Sequence, residues 1–207
     1  MKKAYFSEVL AKVMLTSALV CASTLSAHSA FAETPKLPLT EADAVQASKA
    51  YDMGCNDFED QVAERYVEKV DFKYKYSYDT SKDPERTTSY FIVTCTAGAY
   101  NSTSVLFRVE PYANVLQPVA LATPRVNRDG KVTGFSADVI NAGLSYDATT
   151  GTITSFAKGR GIGDMYVLGT YKLYESDVVL VKYFIDSEEG DGEKPGVVYE
   201  SKLPITY

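Results

Sequence analysis

Apolar and polar side chains alternate along much of the chain after residue 70. The alternation is clearest where single polar residues separate four aromatic ones, Phe72, Tyr74, Tyr76 and Tyr78. A period of two is typical of a half-buried β-strand, because successive side chains point to opposite faces of a sheet. Further strand-like runs cover residues 89–95, 103–109, 115–122, 152–156, 165–174, 178–185 and 197–203.

The aromatic residues of the first run allow two interpretations. The chain contains 16 tyrosines, and exposed rings could form a platform that stacks on sugars. Alternatively, the rings face the core and keep their hydroxyls at its solvated edge. We expect the second arrangement for residues 72–78.

Turn-forming residues separate the strand-like runs, at Asp83-Pro84, Asp129-Gly130, Thr150-Gly151 and Gly190-Asp191-Gly192. Short strands with frequent turns and no clear intervening helices indicate an antiparallel meander. The sequence therefore predicts a mainly β fold, with the meander forming a curled sheet, sandwich or barrel behind a short N-terminal helix. No repeat or linker divides residues 33–207, so we expect one β-rich domain there.

Helical patterns precede the strands. Thr40 is a good N-cap, Asp43 stands three residues later, and apolar positions continue to Gly54. A second helical stretch is predicted over residues 58–69.

The first 32 residues have the features of a signal peptide. Lys2 and Lys3 precede an apolar run over residues 13–25, and Ala30-Phe31-Ala32 matches the small-x-small pattern of a cleavage site. The apolar run is shorter than the ~20 residues that cross a bilayer. We expect cleavage after Ala32, export to the periplasm and no membrane span.

The charge balance limits the partners. The chain carries a net charge of −6, and removal of the basic leader makes the remainder more acidic. Nucleic acids and anionic membranes are polyanions, so neither is expected as a partner. A cationic envelope protein or a cationic external protein would suit this charge.

The single histidine, His28, lies in the predicted signal peptide. The mature chain then lacks the imidazole that serine/histidine and cysteine/histidine hydrolases need, and that most zinc sites use. We predict no cofactor and no metal. Cys55 and Cys95 are expected to form a disulfide in an oxidising compartment.

Two loops are candidates for ligand binding. SFAKGRGIGDMY, residues 155–166, places Arg160 and Asp164 among alternate glycines. A phosphate loop would lead into a helix, whereas this one leads into a strand-like run, which favours a structural turn. Residues 186–193 form an acidic loop that could hold calcium, but they lack the order of ligands of an EF-hand, so a solvated turn is preferred.

CTAGAYN (95–101) and LSYDATTGTITSFAKGRGIGD (144–164) resemble a bacterial exported family known as domain of unknown function 1176. The resemblance implies export, a β-rich fold and a Cys55–Cys95 bridge. Similar proteins usually continue the glycine turn with Asp-Cys-Gly, where this chain has Asp164-Met165-Tyr166. They also carry a further cysteine near the acidic loop, and this chain has none after Cys95. Losing both suggests a lost second disulfide, which again favours a structural glycine turn.

Two functions of different class follow. We prefer a non-enzymatic binding or envelope-associated protein, with Tyr100, Asn101, Arg160 and Asp164 as candidate binding residues. The alternative is a carboxylate-based glycan hydrolase, which needs no histidine and would draw on Asp164, Glu175 or Asp177. A pocket holding two carboxyl groups would favour the enzyme, and dispersed carboxylates would favour the binding protein.

Overall fold

The computed structural model describes residues 38–50, 67–98, 101–110, 112–159, 165–186 and 196–202. Within these residues, one helix precedes twelve strands. The helix is α1, Glu41–Ala50. The strands are β1 Val67–Tyr74, β2 Arg86–Ala97, β3 Ser102–Glu110, β4 Val115–Pro118, β5 Leu121–Val126, β6 Val132–Asp138, β7 Ile140–Ala142, β8 Leu144–Asp147, β9 Thr152–Lys158, β10 Tyr166–Tyr174, β11 Asp177–Asp186 and β12 Gly196–Glu200.

The strands form two five-stranded antiparallel sheets and a hairpin. The first sheet has the order β1-β2-β3-β4, with β7 beside β4 on the same edge of β3. The second has the order β12-β11-β10-β9-β8, and β5 pairs with β6. The sheets do not close into a barrel. The prediction of a mainly β, antiparallel fold with a short helix is confirmed.

The central strands of the first sheet are buried on both faces, as the unbroken runs of buried positions from Tyr90 to Val93 in β2 and from Ser104 to Phe107 in β3 show. One face packs against the second sheet and the hairpin through Tyr90, Ile92 and Leu106, together with Leu121, Ile153, Tyr171 and Leu173. The opposite face packs against α1 through Phe91, Val93, Cys95, Val105 and Phe107, around Ala44. The layers are therefore helix, first sheet and second sheet.

The predicted cap begins α1. The Thr40 backbone N–H donates to Asp43 Oδ2 at 2.7 Å, and the Asp43 N–H donates back to Thr40 Oγ1 at 3.4 Å. Asp43 therefore occupies the position that glutamate usually has in a capping box. The helical prediction over 58–69 is wrong for residues 67–69, which pair with β2 in β1. Residues 58–66 lie outside the described part of the chain.

Two strand predictions need correction. The first run ends at Tyr74, because the chain turns there and the Tyr76 N–H donates to the Asp79 carboxylate at 2.8 Å. The run over 115–122 is two strands in different sheets, β4 and β5. The N–H of Val119, between them, still donates to Leu106 at 2.8 Å.

Two predicted turns are confirmed by glycines in the left-handed region. Gly130 has φ of 75° between β5 and β6, and Gly151 has φ of 63° between β8 and β9. Both angles are favourable for glycine and costly for other residues. The predicted strand-like runs did not include β6, which has seven residues, or β7 and β8, which have only three and four.

The predicted signal peptide, residues 1–32, and Cys55 lie outside the described residues. Cleavage and the Cys55–Cys95 bridge therefore stay predictions. Cys95 is buried on the α1 face of β2. No helix in the described segments is both long and apolar enough to span a membrane.

Tyr171 is the largest side chain from the second sheet that is fully buried in the core. Its hydroxyl donates to the Ala122 carbonyl at 3.1 Å, and burial raises its pKa to about 12. The ring lies over Gly169, where an added Cβ would stand 2.9 Å from Tyr171 Cε2. Glycine at this position makes room for the ring.

We therefore expect Gly169→Ala to reduce the free energy of unfolding by about 1–3 kcal/mol through overpacking. Gly134→Ala is a matched control, because a Cβ at Gly134 in β6 would meet no atom within 4 Å. Urea unfolding of both variants tests this. Equal stability of the two would show that the Tyr171 ring moves aside without cost.

Candidate functional site

A cleft of about 630 Å³ opens at one end of the first sheet, where β1 ends, β2 begins and β3 ends. The β10–β11 turn of the second sheet contributes Ser176 to its lining. The lining residues are Tyr74, Tyr76, Tyr78, Arg86, Thr87, Thr88, Arg108, Glu110, Tyr112 and Ser176. Four tyrosines, two arginines and one carboxylate thus surround the cleft, and Tyr74 and Thr88 are its most deeply buried lining residues.

Strand register places the polar floor of the cleft on the same face as the core. Tyr74 lies opposite Arg86, and Tyr90 lies opposite Arg108. Residues that are opposite each other, or two apart on one strand, share a face of a sheet. Arg86, Thr88 and Arg108 therefore continue the face that carries Tyr90 and Ile92 into the core. The cleft is the polar end of the space between the two sheets.

Stacked tyrosines form one wall. The rings of Tyr76 and Tyr78 have centroids 5.0 Å apart and planes 10° apart, and Tyr74 meets Tyr76 edge-on at 5.3 Å. Tyr74 is buried, Tyr76 is half-buried and Tyr78 is 75% exposed. The core interpretation of this run is thus correct for Tyr74 and wrong for Tyr78, because the strand ends before Tyr78.

The guanidinium of Arg86 holds this wall in place. It lies 4.7 Å from the centroid of the Tyr76 ring and forms an ion pair with Asp79. The Asp79 side chain is only 4% exposed, and it also accepts the Tyr76 N–H. The hydrogen bond to Asp79 raises the pKa of Arg86 above its already high usual value. Arg86 is therefore a permanent cation against the aromatic wall.

Arg108 joins the two sheets at the cleft floor. Its Nη1 donates to the Ser176 carbonyl at 2.7 Å, and it lies 3.7 Å from Glu110 and 3.8 Å from Asp177. A second link runs from the Ser77 N–H to Glu175 Oε1 at 2.9 Å. These contacts anchor the β10–β11 turn to the first sheet.

Two buried polar atoms at the floor have no hydrogen-bond partner among the described residues, Thr88 Oγ1 and Arg108 Nε. Thr88 is 2% exposed. A buried donor or acceptor without a partner costs about 1–3 kcal/mol. Such atoms in native proteins call for an explanation, and a bound water or ligand is a common one. Because Thr88 and Arg108 line the cleft, its floor is a candidate position for a further polar group.

The Tyr76 hydroxyl in the wall is protonated at neutral pH. A hydrogen bond with Tyr74 raises the pKa of Tyr76, and the charge of Tyr74 and partial burial act in the same direction, although a hydrogen bond with Ser176 opposes them. Neutral phenols both donate and accept hydrogen bonds. The cleft therefore offers aromatic faces together with donors and acceptors.

Asn101 is the candidate binding residue that lies within the described part of the chain. Arg160, Asp164 and Tyr100 lie outside the described residues. The Asn101 amide donates to the Lys158 carbonyl at 2.9 Å and accepts the Lys158 N–H at 2.7 Å. Asn101 thus joins the start of β3 to the end of β9.

Gly159 and Met165, the described residues that flank the glycine turn, lie away from the cleft. The Gly159 N–H donates to the Met165 carbonyl at 2.7 Å, next to the start of β10. The cleft adjoins the other end of β10, near Tyr174. Nine residues of extended chain place these two ends roughly 25 Å apart.

Glu175 and Asp177, two of the predicted catalytic candidates, flank Ser176 at the edge of the cleft. Glu175 accepts from Ser77, and Asp177 is paired with Arg108. Most of the acidic loop at 186–193 lies outside the described residues. Within the part that is described, no three His, Cys, Asp or Glu side chains lie close enough to hold a metal ion.

Sequence reasoning missed Arg86, Thr88, Arg108 and Glu110. Two of them lie in β2 and two in β3, and only the pairing of these strands brings them together. One signal in the sequence could have indicated them. On the face of β2 that points to the core, the polar residues Arg86 and Thr88 precede Tyr90. Such a change from apolar to polar along one face indicates that the face leaves the core.

Asp79→Ala should loosen the aromatic wall, because it removes the acceptor of the Tyr76 N–H and the partner of Arg86. We expect the Tyr76 amide to exchange about tenfold faster, the size of one lost hydrogen bond. Hydrogen exchange measured by NMR tests this. Asp83→Ala is the control, because Asp83 accepts the Thr80 N–H at 2.7 Å in the same loop. Similar exchange at Tyr76 in both variants would contradict the anchoring role of Asp79.

Comparisons with known proteins place the chain in a family. Residues 17–188 match the model of a family described as protein of unknown function, DUF1176, and the match begins within the predicted signal peptide. No curated protein and no solved structure gave a significant match. Because the family model covers most of the sequence, the chain belongs to the DUF1176 family.

Proposed function

We propose that this chain is an exported, non-enzymatic binding protein and that the cleft at the end of the first sheet is its ligand-binding site. The observation that carries the proposal is the pair of buried, unpartnered polar atoms at the cleft floor, Thr88 Oγ1 and Arg108 Nε. Thr88 and Arg108 line the same cleft as the exposed ring of Tyr78. A ligand that reached the floor would satisfy both atoms and cover the ring.

The carboxylates around the cleft favour binding over hydrolysis. Glycan hydrolysis by carboxylates needs two of them, on either side of the bond to be cleaved. Glu110 in the lining and Asp177 at the edge of the cleft are both paired with Arg108, so neither is a free acid or base. Glu175 is held by Ser77. This arrangement supports the binding protein over the alternative of a carboxylate-based glycan hydrolase.

The charges of the cleft differ from the charge of the chain. The net charge of −6 would suit a cationic protein partner. The carboxylates at the cleft are already paired with arginines, however, Asp79 with Arg86 and both Glu110 and Asp177 with Arg108, so a cation would gain little there. A cationic partner therefore remains supported by net charge alone, and the cleft supports a ligand that is not a cation.

Export and a Cys55–Cys95 disulfide are part of the same proposal. The signal-peptide features of residues 1–32 support export. Support for the disulfide comes from α1, which packs in the same buried cluster as Cys95 and ends five residues before Cys55. A bridge there would tie the chain that follows the helix to the first sheet.

The expected form in the periplasm begins at Glu33 and has the mass of the oxidised chain. Intact-mass measurement of the periplasmic fraction, before and after reduction, tests both expectations. Closing a loop of about 40 residues is worth about 4 kcal/mol in the chain-entropy model, so reduction should lower the free energy of unfolding by about that amount. A periplasmic protein that carries both thiols reduced would contradict the bridge, and retention of residues 1–32 would contradict cleavage.

Binding at the cleft can be tested in cells that produce the protein. A photo-crosslinking amino acid replaces Tyr112, which lines the cleft and is 93% exposed. We expect a specific adduct that weakens when Tyr78→Ala is added. The control carries the crosslinker at Phe135, which is 49% exposed outside the cleft. No adduct at 112, or the same adducts from both positions, would refute a binding cleft.

A further inference from the structure

We infer that the ligand of the cleft is a glycan, bound with one pyranose ring stacked on Tyr78 and its oxygens against Thr88 and Arg108. This inference rests on the proposed binding function and assigns the class of ligand. It follows from three properties of the cleft: the chemistry of its unpartnered atoms, the mixture of charges around them, and the exposed aromatic wall.

The two unpartnered atoms require oxygen on the ligand. Arg108 Nε–H is only a donor, so its partner must be an acceptor. The Thr88 hydroxyl can both donate and accept. A ligand with several neighbouring hydroxyl, ether or carbonyl oxygens meets both demands at once. An aliphatic or aromatic hydrocarbon would leave both atoms buried and unpartnered.

The mixed charges disfavour a simple ion. Glu110 and Asp177 lie within 4 Å of Arg108, so an anion at Arg108 would meet two carboxylates. Arg86 and Arg108 would in turn repel a cation. A neutral ligand with many hydroxyl groups can accept from Arg108 and donate to Glu110 without either penalty. Alternating donors and acceptors of this kind match the hydroxyls of a sugar ring.

The aromatic wall suits the flat C–H face of a pyranose. Tyr78 is 75% exposed and is supported from behind by the parallel ring of Tyr76. Arg86 and Asp79 fix Tyr76, so the platform is in place before a ligand arrives. A preorganised ring loses little entropy on binding.

A second exposed tyrosine extends the site. Tyr112 follows β3, whereas Tyr78 follows β1, and both line the cleft with their rings exposed. The cleft is therefore suited to an oligosaccharide with one ring near Tyr78 and a further ring near Tyr112.

The test uses chitotetraose, which offers acetamido carbonyls, and cellotetraose, which offers hydroxyls and ring oxygens. Each is titrated into the mature, oxidised protein by calorimetry, with NMR shifts to locate the site. We expect saturable binding of at least one, with shifts at the amides of residues 76–78, 86–88 and 108–110. Loss of the Tyr78 ring in Tyr78→Ala should weaken it about tenfold.

Thr88→Val separates binding from folding. It removes the unpartnered hydroxyl and keeps the shape, so the free protein should be at least as stable as the unmodified one. Affinity should fall about three- to tenfold, because the ligand loses one hydrogen bond. The controls are Phe135→Ala for loss of an exposed ring and Thr133→Val for loss of an exposed hydroxyl, and neither should change affinity.

The outcomes distinguish this inference from the proposed function. If neither tetraose binds the folded protein, or if Tyr78→Ala and Thr88→Val leave the affinity unchanged, the glycan assignment is overturned. A protein adduct from position 112 without glycan binding would overturn the glycan and keep a binding cleft. If there is neither an adduct from position 112 nor glycan binding, the glycan assignment and the binding cleft are both overturned. Shortening of a tetraose during the titration would overturn the non-enzymatic proposal and keep the ligand class.

Discussion

The central strands β2 and β3 are buried on both faces, with Phe91 and Val93 packed toward α1 and Tyr90 and Ile92 packed toward the second sheet. Each face would be costly to leave in water, since a buried aromatic or aliphatic side chain contributes about 1.5–3 kcal/mol. The helix and the second sheet are therefore both needed to complete the fold. A slip of the register by one residue would exchange the two faces, so that each side chain would meet the packing partners of its neighbour.

The cleft lies at the end of the first sheet where the core-facing side chains change from apolar to polar. Tyr90 is the last core residue of β2 on its face, and its hydroxyl donates to the Ser176 carbonyl at 3.2 Å. The same carbonyl accepts from Arg108 at 2.7 Å. One backbone oxygen thus lies at the boundary between core and cleft. Beyond it, Thr88 and Arg86 replace apolar residues on the same face of the sheet.

This polar end lowers stability, and the core must offset the cost. Two buried atoms without partners oppose folding, whereas the ion pairs of Arg86 and Arg108 hold the walls in one geometry. Binding sites often carry such local costs, because groups that await a ligand cannot also be satisfied within the fold. The stacked Tyr76 and Tyr78 carry a similar cost for an apolar group, because most of the Tyr78 ring stays exposed to water.

Local sequence patterns were enough to predict the mainly β fold, the Thr40 cap of α1 and the turns at Gly130 and Gly151. The period of apolar residues, the capping side chain and a left-handed φ each depend on a few neighbouring residues. These local patterns failed at residues 67–69, where pairing with β2 overrides a helical pattern. They failed again at Tyr78, where a hydrogen bond from Tyr76 to Asp79 ends the alternation.

The sequence by itself determined the class of fold, the acidic charge and the absence of histidine after residue 28. Only the tertiary structure decided where a ligand could bind. Thr88 and Arg108 lie on different strands, and neither residue has a neighbour in sequence that predicts an unpartnered, buried side-chain atom. Burial and missing partners are properties of the packed sheets, because they depend on which strands and turns cover each side chain.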